Sequence, residues 1–343
     1  MKKPARPLTL SALLKKLAAL RGRTLITFHS LGDVDSVASA VALAGALERK
    51  NKRVSCEVRC IDSATASARR VLEGLDFPEP RAIKELNSFK NVLLVDVSTP
   101  TLLGDWGEAV EAFRGVVIAV DNHYHTRHLK NAFVYVNLEK PSASEIVFEI
   151  AKKLGAKPSA KTASLLLAGI AADTALFKSA ENATLGDAGE LARTHGADFK
   201  KIRLLTAPQP DLGERIAVLK AVAGVRVEKI GKGENAVLVA LANAHAFELQ
   251  CASALVELGC DYAFVVNERE GRASAVKAQG ARGNVGKIME SVGAAFRGSG
   301  GGHEFVGGAR GEPTRERADA AGEEFLARVK LVLGESVSKR VWG

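Results

Sequence analysis

The chain has 343 residues, is 47% hydrophobic and 25% charged, and carries a formal net charge of +9. That length exceeds one ordinary core and accommodates two, the composition excludes a disordered or fibrous chain, and no apolar run reaches the ~20 residues a membrane-spanning helix needs. The modest basic excess favours an anionic partner such as a nucleotide or nucleic acid, while 3 Tyr and 2 Trp argue against a large stacking platform for bases.

Seven basic residues precede Thr24, and the first acidic residue is Asp33, a pattern shared with transit peptides. The apolar positions Leu10, Leu13, Leu14 and Leu17 instead predict a packed amphipathic helix over 8–20. Three apolar runs of one design follow: Thr24–Phe28 leads into His29, Val92–Val95 into Asp96, and Val116–Val120 into Asp121. Unbroken apolar runs of this kind suit strands of a parallel sheet covered on both faces. The Ala-rich 36–49 stretch between the first two, with Ser36 as its candidate cap, predicts a helix, as do 142–154 and 161–171. Alternating strands and helices predict an open α/β sheet, whose ligands bind beyond the carboxyl ends of the strands. His29, Asp96 and Asp121 fall there.

After residue 190 the texture changes. Residues 206–213 concentrate Pro and Gly and read, together with 214–218, as a linker between a domain at 1–205 and a smaller α/β domain at 219–343. The second domain is expected to run strand 235–242, helix 246–258, strands 262–269 and 272–278, helix 284–296, a glycine-rich loop at 298–311 and a helix at 315–334. The cysteines at 56, 60, 251 and 260 lack C-x-x-C spacing and are expected to be reduced thiols of a cytoplasmic protein.

The chemistry concentrates in a few segments. His29-x-x-x-Asp33-x-Asp35 follows a strand end, where a short loop can aim three side chains into one cavity; Asp33 and Asp35 would equally serve as caps of the next helix. Clustered carboxylates raise one another's pKa, and a divalent cation removes that penalty. Oxygen donors with a few imidazoles suit Mn²⁺ or Mg²⁺ better than structural zinc. Asp96 and Asp121 close two further strands, and three of the seven histidines (His123, His125 and His128) lie within 121–128. Asp173 ends an apolar helical run, where a plain helix-end role is the simpler reading when it is taken alone. Eight glycines between 293 and 311 lead through Gly300, Gly301 and Gly302 to His303; such a run can form an anion nest or simply a flexible loop. Lys277, Arg282 and Arg297 could add positive charge there.

This ordered set resembles the DHH phosphoesterases that carry a C-terminal DHHA1 domain: H-x-x-x-D-x-D at 29–35, a strand ending in Asp96, Asp-x-His at 121–123, GIAADTALF at 169–177 and GSGGGHEFVGG at 298–308. The layout is most similar to the stand-alone nanoRNase and pAp-phosphatase branch, with RecJ-like exonucleases as relatives. The resemblance implies two Mn²⁺ ions, with Mg²⁺ or Co²⁺ as alternatives. One ion would be held by His29, Asp33 and Asp96, and the second by Asp35, Asp96 and Asp173. It implies catalytic roles for Asp33, Asp35, Asp96, Asp121 and His123. It implies substrate contacts from His123, His125, Lys277, Arg282, Arg297, Gly300, Gly301, Gly302 and His303. One departure stands out: Asn122 occupies the place of the family's first motif histidine, where its amide oxygen could serve as a weaker metal ligand.

The implied activity is metal-dependent hydrolysis of short single-stranded RNA or DNA, or of pAp-like nucleotides. The alternatives are a RecJ-like exonuclease, a cyclic-dinucleotide phosphodiesterase and a non-catalytic nucleic-acid-binding homologue. No membrane partner is expected, and a homodimer stays open.

Overall fold

The computed structural model describes residues 5–207 and 210–334. The chain divides into two compact units, Met1–Pro208 and Gln209–Gly343.

The first unit is built on a seven-stranded sheet in which every pairing is parallel. Its strands are β1 (Arg6–Pro7), β2 (Gly22–Thr27), β3 (Val54–Cys60), β4 (Arg81–Ala82), β5 (Asn91–Val95), β6 (Val116–Asp121) and β7 (Phe133–Val136). The spatial order is β1-β7-β6-β5-β2-β3-β4. The chain moves outward from β2 through β3 to β4, then returns to the other side of β2 with β5. The carboxyl ends of β2 and β5 therefore flank the point where the strand order reverses, the place where such sheets open a crevice.

The apolar runs are unbroken because both faces are covered. Ile26, Leu93, Val95, Ile118 and Val120 belong to one core. Leu25, Val92, Leu94, Val117 and Ala119 belong to another, on the opposite face. The first core is closed by helices α1 (Leu10–Ala19), α2 (Val34–Lys50), α3 (Ala66–Gly74), α5 (Ala143–Lys153), α6 (Ala160–Asp173), α7 (Asn182–His195) and α8 (Phe199–Thr206). The second has a thinner cover, including Ile83, Leu86, a 3₁₀ turn at Pro100–Leu103 and the short α4 (Trp106–Ala112). The expected amphipathic N-terminal helix is α1, capped by Thr9, with Leu13 and Leu17 fully buried.

The second unit carries a six-stranded mixed sheet with β8 (Arg226–Ile230), β9 (Val237–Asn243), β10 (Tyr262–Asn267), β11 (Arg272–Lys277), β12 (Ser299–Gly302) and β13 (Val306–Arg310), in the order β8-β9-β10-β11-β13-β12. Among the described residues of this unit, only β9 and β10 pair in parallel. Helices α11 (Val285–Ala295) and α12 (Arg315–Leu333) close one core of this sheet, and α9 (Leu212–Ala223) and α10 (Glu248–Glu257) close another. Among the described residues, no helix is long and apolar enough to cross a membrane.

Three sequence expectations need correction. The cap of α2 is Asp33, whose Oδ1 accepts from the Ser36 amide at 2.9 Å; Ser36 is already inside the helix. The linker reading of 206–218 is too long. Helix α9 starts at Leu212, and Asp211 accepts from the Glu214 amide at 2.8 Å, an acid-x-x-Glu cap signal placed just after the Pro-rich stretch; Pro208 and Gln209 lie outside the described residues. The glycine-rich stretch 298–311 is not a loop but an antiparallel hairpin, β12–β13. Glycine has poor strand propensity, and packing forms this strand instead. A Cβ on Gly293 of α11 would strike the Ser299–Gly300 backbone, and one on Gly300 would strike the Met289 carbonyl. Glycine here lets a strand lie directly on a helix.

Candidate active site

The strand ends deliver the acids. The chain leaves β2 through the buried Phe28, and His29 Nε2 comes to rest 3.4 Å from Asp96 Oδ2 and 3.7 Å from Asp33 Oδ2. Asp33 does two jobs at once, because Oδ1 caps α2 while Oδ2 faces His29. One carboxylate thus caps a helix with one oxygen and faces the acidic cluster with the other.

Asp96 is the centre of the cluster. It is buried and sits at φ 60°, a left-handed conformation that costs a non-glycine residue on the order of 1–3 kcal/mol and persists only where surrounding structure enforces it. Its amide donates to the Val120 carbonyl at 2.9 Å, and its Oδ1 lies 3.4 Å from His123 Nδ1. Among the described residues, two groups of side chains are close enough to share a metal ion: His29, Asp33 and Asp96, and Asp96, Asp121 and His123. Asp96 belongs to both.

Asp121 is fully buried at the end of β6. Its Oδ1 accepts from the His123 amide at 3.1 Å and faces His123 Nδ1 at 3.0 Å. Its Oδ2 lies 3.3 Å from His125 Nε2, without the alignment of a hydrogen bond. Burial pushes the Asp121 carboxyl up, but the hydrogen bonds from His123 and the nearby Ser98 hydroxyl outweigh it and hold the group below the usual range. Ser98 is in turn 3.0 Å from His128 Nδ1. Sequence reasoning misses Ser98; the available signal is a polar residue two positions beyond a strand-ending acid.

Asp35 is placed differently from its neighbours. It is fully buried and accepts from the Ala143 and Ser144 amides at 2.6 and 2.9 Å, in the first turn of α5. Burial, followed by the charges of Asp173 and Asp96, drives its pKa well above the carboxylate range. Asp173, at the end of α6, is pushed up to about 7, first by desolvation of its carboxyl and then by Asp33 and Asp96. Each of the two carboxyls is raised in an environment of other acids, and Asp173 is the leading charge acting on Asp35. The second close-packed group on Asp96 thus contains Asp121 and His123, while Asp35 and Asp173 form their own pair.

His29 is raised to about 10, because the Asp33 and Asp96 carboxylates beside its Nε2 outweigh its burial. His123 is raised to about 9, chiefly by Asp121. Protonated imidazoles and protonated carboxyls are what a dense acidic cluster adopts when protons do the work of a cation.

The donor set fits divalent metal: carboxylates and imidazoles whose ligand atoms lie close together. Among the described residues, the buried oxygens Asp96 Oδ1, Asp121 Oδ2 and Asn122 Oδ1 have no hydrogen-bond partner, an uncommon state that calls for an explanation. Asn122 donates its Nδ2 to the Pro141 carbonyl at 3.2 Å, which leaves Oδ1 as the free end.

The substrate-binding candidates at 277–303 belong to the second unit. Lys277 is 5% exposed, and its ammonium is committed to the Ala281 carbonyl at 2.7 Å and to Glu304 at 3.3 Å. Arg297 pairs with Glu312 at 3.6 Å. The Arg282 carbonyl accepts from the Tyr262 hydroxyl. Gly300 and Gly302 are packed against backbone, whereas a Cβ on Gly301 would meet open space. His303 is exposed.

Comparison with known proteins adds the following. Residues 23–170 match the DHH family, N-terminal domain. An uncharacterized protein of Methanocaldococcus jannaschii is 31% identical over 300 residues, covering 84% of this chain and 87% of that protein. The cyclic-di-AMP phosphodiesterase GdpP of Geobacillus thermodenitrificans is 25% identical over 316 residues, covering 86% of this chain and 45% of that protein. Among solved structures, an exopolyphosphatase-related protein from Bacteroides fragilis superposes with a TM-score of 0.71 at 16% identity, covering 94% of this chain and 97% of the other; that likeness concerns the fold.

Proposed function

The chain belongs to the DHH family, and from that premise we propose that it is a cytoplasmic divalent-metal-dependent phosphoesterase acting on short oligonucleotides or pAp-like nucleotides. The observation that carries the reading is the double membership of Asp96 in two groups of metal-ligand geometry. One carboxylate shared by two such groups is the arrangement a two-cation site needs.

In this reading His29, Asp33 and Asp96 hold one cation, and Asp96, Asp121 and His123, with the free oxygen of Asn122, frame the second. Asp35 and Asp173 lie beside it as raised carboxyls whose protons a cation would displace. Bound Mn²⁺, with Mg²⁺ or Co²⁺ as alternatives, would supply the Lewis acidity that lets water attack phosphorus at neutral pH. The protein's own part is to hold these donors rigid from strand ends and helix caps. Asp121 fixes the His123 ring through Nδ1, which leaves the other ring nitrogen to carry a proton toward a departing oxygen. A DHHA1-like role for the second unit, with His303 and the backbone at Gly301 gripping a phosphate, completes the proposal.

Cyclic-dinucleotide hydrolysis is the second reading, favoured by the similarity to GdpP across 86% of this chain. One panel separates them. Purified protein with Mn²⁺ is offered a labelled dinucleotide, a 24-mer, pAp and cyclic di-AMP. Fastest turnover of the dinucleotide or pAp is expected. Preference for cyclic di-AMP would favour the second reading, and no turnover of any substrate would remove the enzyme.

A further inference from the structure

The acidic site uses the carboxyl ends of the strands, but a second feature of the first unit lies elsewhere. Two hollows adjoin beneath the thinly covered face of the sheet, one of about 330 Å³ and one of about 550 Å³. Lys84, Glu85 and Phe89 line both, so the two make one groove. It reaches the amino ends of β2, β5 and β6 at Arg23, Phe89 and Gly115. At ~3.3 Å per residue, a five-residue strand sets that end roughly 17 Å from the acidic cluster.

The lining is basic and aromatic. Five cations face two carboxylates, Glu57 and Glu85. Glu57 is already neutralised, with Arg23 and Arg59 at 2.7 and 2.8 Å. Arg81, Lys84 and Arg114 are exposed and have no ion-pair partner among the described residues. The same lining holds three half-buried rings, Phe89, Trp106 and Phe113, each packed on one side against the core of this face. The Arg23 guanidinium lies 4.9 Å from the Phe89 ring centre. Trp106 is one of two tryptophans in the chain, so this side chain is not a sample of a common residue.

We propose that this groove is an accessory binding track for single-stranded nucleic acid, separate from the acidic site. Free cations spaced along a groove match a phosphate backbone, and aromatic faces in the same lining match unpaired bases, the combination by which single strands are held without sequence preference. An acidic peptide would satisfy the cations and leave the rings unused. A single nucleotide would fill one hollow and leave the other, so an occupant of several nucleotides uses both. The proposal goes beyond the hydrolytic reading and needs no turnover, so a chain that hydrolyses nothing in the panel above still tests the groove.

The experiment is fluorescence anisotropy of the full chain with a labelled 12-mer of thymidylate in EDTA, across a salt titration. Binding is expected, and Arg81→Gln with Lys84→Gln should make the slope of log K against log salt shallower by about 1.4, that is ~0.7 per lost phosphate contact. Trp106→Leu, which keeps apolar bulk but loses the aromatic face, should weaken binding on the order of tenfold without changing the slope. Phe89→Leu is the second ring variant should Trp106→Leu melt at lower temperature. Mn²⁺-dependent turnover of a dinucleotide should stay within about twofold in all of them, as expected for sites that do not share residues. Failure to bind the 12-mer, an unchanged slope in the double variant, or equal displacement by polyglutamate would overturn the proposal.

Discussion

A Cβ placed on Gly169 would lie 2.8 Å from Asp35 Oδ1 and would strike the Ser144 hydroxyl. Helix α6 therefore packs over the second acid of the His-x-x-x-Asp-x-Asp segment only because residue 169 has no side chain. In an ordinary helix, Gly→Ala gains about 1 kcal/mol of propensity. At Gly169 the collision should win, since overpacking a buried site costs about 1–3 kcal/mol, and Gly169→Ala should lower the midpoint of denaturant unfolding. Gly45, in α2, has nothing within 4 Å of the point a Cβ would occupy, so Gly45→Ala should raise the midpoint. Paired melts of the two variants check the contrast.

Asp96 carries both a functional and a conformational role. Asp96→Ala and Asp96→Gly should both abolish turnover, because either removes the carboxylate shared by the two groups. Their stabilities should differ. Left-handed backbone costs alanine about 1–2 kcal/mol, and glycine's extra unfolded-state entropy costs about 0.5–1 kcal/mol, which leaves Asp96→Gly the more stable by roughly 0.5–1 kcal/mol. Activity assays beside chemical denaturation measure both. Turnover within tenfold of the parent in either variant would remove Asp96 from the centre of the site.

The pH dependence of the metal-free protein follows from groups raised on folding. Asp173 goes from 3.8 to about 7, and His29 and His123 go from 6.5 to about 10 and about 9. A group that binds its proton more tightly when folded stabilises the fold below its unfolded pKa and loses that contribution as pH rises through its folded pKa. Stability in EDTA should therefore fall between about pH 4 and 7 through Asp173, and further between about pH 6.5 and 10 through the two histidines. Mn²⁺ competes with these protons, so its stabilising effect should grow with pH over the same windows. Thermal melts against pH, with and without Mn²⁺, read this directly. Asp173→Asn should flatten the acid-side slope; an unchanged slope would assign it elsewhere.

Ser98 is expected to act through Asp121. Ser98→Ala removes the hydroxyl that helps hold this buried carboxylate below its usual range, while His128 loses its hydrogen-bond partner. Loss of a supporting hydrogen bond behind a metal-ligand residue typically costs about 10–100-fold in metal affinity or activity. The expected readout is a weaker Mn²⁺ midpoint with little change in melting temperature in EDTA. Equal loss of EDTA stability and of activity would mark Ser98 as merely structural.

The sheet and its acids are legible in the sequence. The runs before His29, Asp96 and Asp121 are unbroken because both faces of a parallel sheet are apolar, and an acid closing each run marks the carboxyl edge. Ser36 is a weaker guide than Asp33, since both are cap residues and only the backbone bond decides between them. The hairpin at 299–310 reads as a loop because glycine's local preferences oppose a strand, and the packing of Gly300 on α11 is a long-range fact.

What the sequence determined by itself is which residues stand at the carboxyl edge and in what order, because strand periodicity and termination are local properties. What only the tertiary structure decided is which of them share a site. Asp33 and Asp35 are two residues apart, yet one faces His29 and the other is held by the first turn of α5. Asp96 joins two groups because the registers of β2, β5 and β6 bring three strand ends together. Those distances depend on pairings and helix contacts across tens to more than a hundred residues of chain, and no local pattern encodes them.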